Sequence, residues 1–204
     1  MKTLRMNLKS LALIAVLATG MFAVSCDKEN DLFMQEEMAA QDAELKKGQS
    51  VRPGTQSIAA IALADDGEFD ELVAALVHVD TELNAGLVEL FLNGTDQYTV
   101  FAPTDAAFEA LYQVLGVSAI TEVDAQTVLN VLLYHVTEGR RAAVSVVPKV
   151  GTRTIETLLG SSFTVNRSAE ITAAGNKANI VSANISASNG IIHVIDTVIL
   201  PITL

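Results

Sequence analysis

The stretch "SNGIIHVIDTVILP" (188–201) predicts a buried β-strand near the end of the chain, because almost every residue after Gly190 is β-branched or aliphatic. Alternate residues of a strand point to opposite faces, so His193 and Asp196 lie on different faces. Both faces are otherwise apolar, which indicates a strand covered on both sides. We therefore expect His193 and Asp196 to anchor neighbouring segments by separate hydrogen bonds, since an unpaired buried polar group costs about 1–3 kcal/mol.

The folded part of the sequence divides into a helical first half and a strand-rich second half. Apolar residues at helical spacing predict helices within 57–67, 68–79, 80–94, 104–116 and 124–139. Runs of β-prone residues, separated by Gly, Pro and Asn, predict strands at 98–102, 140–147, 162–167, 176–185 and 191–200. Pro103 separates the first strand from a helix that Thr104 or Asp105 caps.

The first 25 residues have the pattern of a bacterial export signal. Three basic residues precede the apolar run "LALIAVLATGMFAV" (11–24), which is shorter than the ~20 residues that a membrane-spanning helix needs. The run leads into "AVSC" (23–26), which resembles the bacterial lipobox, with Ala23 where leucine is usual. We predict a lipoprotein signal peptide at 1–25, cleaved before Cys26, and a membrane anchor of lipid on this single cysteine. The alternative is an ordinary secretory signal with an incidental cysteine.

Residues 26–54 are predicted to form a flexible acidic tether, and residues 55–204 a single folded domain. The whole chain has 13 basic and 24 acidic residues, and a formal net charge of −11. Removal of the signal peptide leaves 10 basic residues and a net charge of −14. This balance argues against nucleic acid as a partner, because binding to phosphates requires a basic surface. It also argues against contact of the domain with anionic lipid.

No sequence motif for catalysis or for a cofactor is present. The chain lacks the G-x-S-x-G pattern of a nucleophilic serine and the glycine-rich patterns that bind phosphates. Its three histidines, His78, His135 and His193, do not have the spacing of metal ligands. We therefore predict no enzymatic activity, no metal and no cofactor. A site built from distant residues stays open as the alternative, with Asp105 as a general base or metal ligand.

Three segments together give the chain a family resemblance. "YTVFAPTDAAF" (98–108), "LLYHV" (132–136) and "NGIIHVIDTVILP" (189–201) are similar, in this order and spacing, to signatures of the fasciclin (FAS1) domain. The resemblance covers the predicted domain and departs at Asn184, where the family usually has aspartate. It implies an α+β fold, namely a wedge-shaped β-sandwich of about seven strands with helices packed along one side. The residues assigned to its structural signature are Thr104, Asp105, His193 and Asp196.

The resemblance also implies a non-catalytic role in cell adhesion, or in binding a protein or glycan outside the cytoplasm. In extracellular animal relatives the tyrosine–histidine motif, here Tyr134 and His135, has been linked to partner contact. Two interpretations stay open for this chain. The motif contacts a partner, or its side chains lie at the edge of the core with their polar tips bonded to backbone groups. Asn184 is expected to accept a turn or backbone hydrogen bond as aspartate would.

The residues after Cys26 bear on location. "CDKEND" (26–31) resembles the export signal of surface lipoproteins in Bacteroidetes-type bacteria, which implies an outer-membrane protein exposed at the cell surface. In enterobacteria Asp27 would instead favour the inner membrane, so a periplasm-facing protein is the alternative. The corresponding alternative function is binding of a small ligand or maintenance of the envelope.

Overall fold

The computed structural model describes residues 51–64 and 67–202, with the predicted order of helices before strands. The helices are α1 (Ile58–Ala64), α2 (Asp70–Leu83), α3 (Leu87–Asn93), α4 (Asp105–Leu115), α5 (Ala125–Tyr134) and α6 (Ala143–Val146), with a 3-10 turn at Ile120–Glu122. The strands are β1 (Tyr98–Pro103), β2 (Val136–Glu138), β3 (Thr152–Glu156), β4 (Ser162–Asn166), β5 (Glu170–Thr172), β6 (Lys177–Ala187) and β7 (Gly190–Ile195). The predicted signal peptide, Cys26 and most of the predicted tether lie outside the described residues.

The seven strands of the described segments form one sheet with the order β2-β1-β7-β6-β5-β4-β3. β1 and β7 are parallel, whereas the other neighbouring strands are antiparallel. β6 shifts its register against β7 between Ile180 and Ile185, and such bulges bend a strand. The N–H of Leu158 donates to the carbonyl of Val136 in β2 over 2.8 Å, so the segment after β3 returns to the opposite end of the sheet. The protein therefore has the α+β wedge that the family resemblance implies.

Strand β7 contributes to both hydrophobic clusters of the wedge. Ile192 and Val194 belong to the cluster that the helices cover. Ile195 belongs to the second cluster with Phe101 and Phe163, whose rings meet edge to face with centroids 5.0 Å apart. Every residue of β7 is buried, which confirms the prediction of a strand covered on both sides.

The boundaries in the helical half differ from the prediction in one region. α2 continues to Leu83, and only the shorter α3 follows where a helix was expected over 80–94. The carboxylate of Asp80 explains the break, because its two oxygens accept the free N–H groups of Leu87 and Val88, each over 2.8 Å. Val77 and Leu83 belong to the apolar pattern from which these helices were predicted, but they are exposed rather than part of the core.

Four further differences from the prediction lie between Tyr134 and the end of the sheet. The helix predicted over 124–139 ends at Tyr134, because the next three residues pair with β1 as strand β2. The predicted strand 140–147 is a loop followed by α6. β7 ends at Ile195, and residues 196–200 leave the sheet and pack against the helices through Val198. Strands β3 and β5 were not predicted. Most residues of β3 are exposed, and β5 has only three residues, which is too short for an alternating pattern to be recognised.

Candidate functional site

Thr104 and Asp105 connect the starts of two helices. The Thr104 hydroxyl accepts the N–H of Ala107 over 3.3 Å, which makes Thr104 the N-cap of α4. The Asp105 carboxylate accepts the N–H of Glu71 over 2.9 Å, so it satisfies a free amide in the first turn of α2 rather than in its own helix. The Thr104 side chain thereby fixes the start of α4, and the Asp105 side chain holds the start of α2 next to the start of α4.

Tyr134 lies at the centre of the wedge and is fully buried. Its hydroxyl donates to the carbonyl of Ser162 over 3.0 Å and accepts the N–H of Ala174 over 3.4 Å. Its ring packs edge to face against Phe163, with centroids 5.8 Å apart. The phenol therefore joins α5 to β4 and to the turn after β5.

His135 follows Tyr134 and is also buried, with both ring nitrogens bonded to backbone. Nδ1 donates to the carbonyl of Val131 over 2.7 Å, and Nε2 accepts the N–H of Ile199 over 3.0 Å. Burial lowers the pKa of His135 to about 4, although the bond to Val131 acts in the opposite direction. The imidazole is consequently neutral near pH 7 and has no nitrogen free to bind a metal or accept a proton from a substrate.

His193 and Asp196 are separate anchors, as the sequence predicts. His193 is buried; its Nε2 donates to the carbonyl of Arg141 over 2.9 Å, and its Nδ1 accepts the N–H of Asn184 over 3.3 Å. The Asp196 carboxylate accepts the backbone N–H of Asn179 over 2.7 Å and its side-chain amide over 2.9 Å. The expectation that both side chains are buried is wrong for Asp196, which is exposed because β7 ends one residue earlier.

Asn184, the position that departs from the family pattern, has a defined structural task. Its side-chain oxygen accepts the N–H of Ala143 over 2.7 Å at the first turn of α6. Its φ of 66° lies in the left-handed region, which asparagine tolerates better than most residues. The prediction that asparagine accepts a backbone hydrogen bond here is confirmed.

Arg140 is a structural anchor that the sequence does not single out. Its guanidinium donates to the carbonyls of Ala187 (2.8 Å) and Gly190 (2.6 Å) at the β6–β7 turn. It also donates to the carbonyls of Val51 (3.1 Å) and Arg52 (3.0 Å). These bonds attach the last residues of the predicted tether to the sheet. These carbonyls come together only in the folded protein, and no sequence motif around Arg140 predicts that its guanidinium binds them.

A pocket of about 200 Å³ opens on the helical side of the wedge. It lies between α2, α4, α5 and the segment after β7, and its lining contains no charged side chain. His135 is at its wall, where the ring contributes carbon surface because both nitrogens are bonded elsewhere. The lining of this pocket includes Leu72, Leu115, Val123, Thr127, Asn130 and Ile202.

The rim of this pocket combines exposed apolar groups with carboxylates. Ile202 is 61% exposed and Leu115 is 38% exposed. Val123 is flanked by Glu122 and Asp124, both of which are exposed. The Asp124 carboxylate accepts both the N–H and the hydroxyl of Thr127, which places a negative charge directly beside a lining residue.

The three histidines of the described segments have separate hydrogen-bond partners. His78 bonds through Nε2 to the carbonyl of Val123 over 3.1 Å. In residues 51–64 and 67–202, no group of three His, Cys, Asp or Glu side chains is arranged to hold a metal ion. None of the helices in these segments has the length and apolarity required to span a bilayer.

Comparison with known proteins identifies the class to which this wedge belongs. The family model for the fasciclin domain matches residues 67–201. The immunogenic protein MPB70 of Mycobacterium bovis is 36% identical over 155 residues, which cover 74% of this chain and 73% of MPB70. The cell surface glycolipoprotein MPB83 of the same species is 34% identical over 112 residues, covering 54% of this chain and 46% of MPB83.

The solved FAS1 domain pair from the insect cell adhesion molecule Fasciclin I is similar over 65% of this chain and 45% of that chain, with 16% identity and a TM-score of 0.47. That likeness is too distant to add to the argument. The family match and the identity to MPB70 are sufficient: the chain belongs to the fasciclin domain family.

Proposed function

We propose that this chain is a lipid-anchored, extracytoplasmic fasciclin-domain protein that acts as a non-catalytic module for adhesion or for binding a protein or glycan. The observation that carries this proposal is the exposed apolar pocket on the helical side, with Leu115 and Ile202 at its rim. Exposed apolar surface framed by polar residues is typical of interaction sites. The polar atoms of Tyr134, His135 and His193 are meanwhile occupied by backbone groups.

The size and lining of the pocket favour an interaction site over a carrier of small ligands. Pockets for drug-sized ligands usually enclose about 300–1,000 Å³ and present a few convergent polar groups. This pocket is smaller, at about 200 Å³, and Thr127 and Asn130 are its few polar lining residues besides His135. Binding of a small ligand by a periplasm-facing lipoprotein is therefore the less supported alternative.

The lipid anchor and the surface location rest on the sequence. A lipidated Cys26 would hold the domain on a membrane through the acidic segment that follows. The name of MPB83 describes a cell surface glycolipoprotein, and this relative supports the same arrangement here. A position facing the periplasm is the alternative, and it requires the same anchor.

Protease treatment of intact cells of the native host tests the location. We expect protease to remove the domain from intact cells while a periplasmic marker protein survives. Survival of the domain in intact cells, followed by its digestion after the envelope is opened, would contradict the surface location and leave the periplasmic alternative.

Substitution of Cys26 tests the anchor. Cys26→Ala should yield an unprocessed or soluble protein, whereas the neighbouring Ser25→Ala serves as the matched control and should remain in the membrane fraction. Equal membrane retention of both variants would contradict a lipid anchor at this position. Beads coated with the full-length protein then test adhesion to cells of its own community or of a host.

A further inference from the structure

The charges of the domain are divided between its two halves. Residues 53–139, which contain α1 to α5, have 14 Asp and Glu residues and no Lys or Arg. Residues 140–204, which contain most of the sheet, have six Lys and Arg residues and three Asp and Glu residues. The helical side is therefore strongly acidic, and a surface of one sign attracts partners of the other.

Most of the residues that line the apolar pocket belong to this acidic half. Glu122 and Asp124 stand on either side of the lining residue Val123, and both carboxylates are exposed. Asp124 is bonded to Thr127, a second lining residue, at 3.0–3.1 Å. The lining itself is uncharged. The part of a ligand that enters the pocket must therefore be apolar. Positive charges on the part of the ligand that surrounds the mouth are favoured by the nearby carboxylates.

The volume limits the size of the entering group. A cavity of about 150 Å³ lined by aliphatic and aromatic side chains accepts a molecule the size of benzene. A pocket of about 200 Å³ thus suits a single aromatic or large aliphatic side chain. Every buried side-chain nitrogen and oxygen of the described segments already has a hydrogen-bond partner, so the occupant need not supply a polar group inside.

From size, lining and charge together, we propose that this pocket receives one large apolar side chain from a lysine- or arginine-rich segment of a partner protein. The proposal rests on the proposed function and specifies the chemistry of its partner. The apolar side chain provides the central anchor, as buried aromatic residues do in other interfaces. The basic residues around it pair with Glu122 and Asp124 and increase the rate of encounter.

A synthetic peptide with one central tryptophan between lysines is a direct probe. The protein contains no tryptophan, so all tryptophan emission in the mixture comes from the peptide. We expect the full-length protein to shift this emission to shorter wavelength, with an affinity that falls as salt increases. A peptide with alanine in place of tryptophan, labelled with a fluorophore, and one with glutamate in place of lysine should each bind at least about tenfold more weakly.

Two pairs of variants locate the binding site. Asn130→Phe fills the mouth of the pocket and should weaken binding at least about tenfold, whereas Gln126→Phe adds the same bulk one turn earlier on α5, outside the lining, and should not. The double variant Glu122→Gln/Asp124→Asn removes the rim charges but keeps hydrogen-bond acceptors for both backbone contacts. It should weaken binding several-fold, while Glu89→Gln/Asp96→Asn, with the same change in net charge at exposed positions outside the lining, should have little effect.

The outcomes separate this inference from the proposed function. Equal binding by wild type, Asn130→Phe and Gln126→Phe would mean general charge attraction and would overturn the pocket proposal. An equal loss of peptide affinity in Glu122→Gln/Asp124→Asn and in Glu89→Gln/Asp96→Asn would overturn the proposal that the rim carboxylates pair with the basic residues of the partner. The absence of any emission shift would also overturn the proposal. If protein-coated beads adhere to cells equally well with wild type and Asn130→Phe, the pocket proposal fails and the adhesion function stands.

Discussion

His135 and His193 are both buried and have the same hydrogen-bonding pattern, but their surroundings differ. Each ring donates one N–H to a carbonyl and accepts one backbone N–H. His193 packs in the sheet against Phe101, with ring centroids 5.5 Å apart. His135 lies where the helices meet the sheet, and one side of its ring faces the apolar pocket. The polar atoms of both residues serve the fold, and only the ring of His135 adjoins the apolar pocket that we propose as a binding site.

This contrast separates the residues that make the fold from those that are free to bind. Tyr134, His135 and His193, the buried polar residues of the three signature segments, are committed to internal contacts and are called the signature residues below. The rim residues Glu122, Asn130 and Ile202 make few such contacts and differ from the core in exposure and charge. Substitutions in the first group should therefore cost stability, whereas substitutions in the second group should change binding.

The largest expected effect is that of Tyr134→Ala. The buried ring packs against Phe163, and removal of a ring of this size from a core usually costs about 3–5 kcal/mol. Tyr134→Phe keeps the ring and loses only the hydroxyl contacts, so we expect a cost of about 1 kcal/mol. Denaturant unfolding of both variants measures the difference, and equal stability of Tyr134→Ala and wild type would break the distinction.

The next effect is a loss of stability in acid. The pKa of folded His135 is lowered from 6.5 to about 4, so the unfolded chain binds this proton first as the pH falls. The stabilisation is present in full above pH 6.5 and is lost progressively towards pH 4, by about 3 kcal/mol. The lowered pKa of buried His193 acts in the same direction.

Unfolding curves between pH 7 and pH 4 measure this loss. His78→Gln serves as the control, because His78 is only partly buried and its removal should leave the decline in place. A free energy of unfolding that stays constant over this range would contradict the assignment of His135 as a buried, neutral anchor.

A smaller effect is expected at Asn184. Asn184→Ala removes the cap on Ala143 and places a Cβ-bearing residue without a polar side chain at a φ of 66°, which together should cost about 1–2 kcal/mol. Asn184→Asp restores the residue usual in the family, keeps an acceptor and should remain close to wild type. Equal losses in the alanine and aspartate variants would show that the side-chain acceptor is not what stabilises this turn.

The smallest change in stability is expected at the rim of the pocket. Glu122→Gln/Asp124→Asn and Asn130→Ala should each change the free energy of unfolding by less than about 0.5 kcal/mol, because these positions are exposed or partly exposed and make few tertiary contacts. A loss of more than about 2 kcal/mol in the free energy of unfolding of these variants would show that the rim residues also stabilise the fold, as the signature residues do.

Much of the fold was predictable from the sequence, because its elements have strong local patterns. The continuous apolar run of β7, the β1–Pro103–α4 boundary and the Thr104 cap all depend on neighbouring residues. β3 and β5 were missed although each pairs with its neighbour in the chain, because β3 is mostly exposed and β5 has only three residues. The strand predicted over 140–147 was wrong because the apolar residues of 143–147 favour a strand, whereas in the fold the distant Asn184 caps a helix there.

The candidate site was less predictable. The lining of the pocket comes from α2, α4, α5 and the last residues of the chain, and no single motif contains it. The sequence leaves open whether Tyr134 and His135 contact a partner or the protein's own backbone, because their burial depends on how α5 packs. The absence of lysine and arginine from 53–139 is visible in the sequence. It indicates an acidic surface only when the structure shows that the helices of this segment share one side of the wedge.

The central claim is that the acidic rim and apolar pocket of the helical side bind a partner while the signature residues hold the fold. Amide NMR spectra of the full-length protein, titrated with the lysine-rich tryptophan peptide, test it most directly. We expect chemical-shift changes centred on Val123, Thr127 and Asn130 at the pocket. Changes centred instead on β3 to β6, with the pocket amides unmoved, would contradict it.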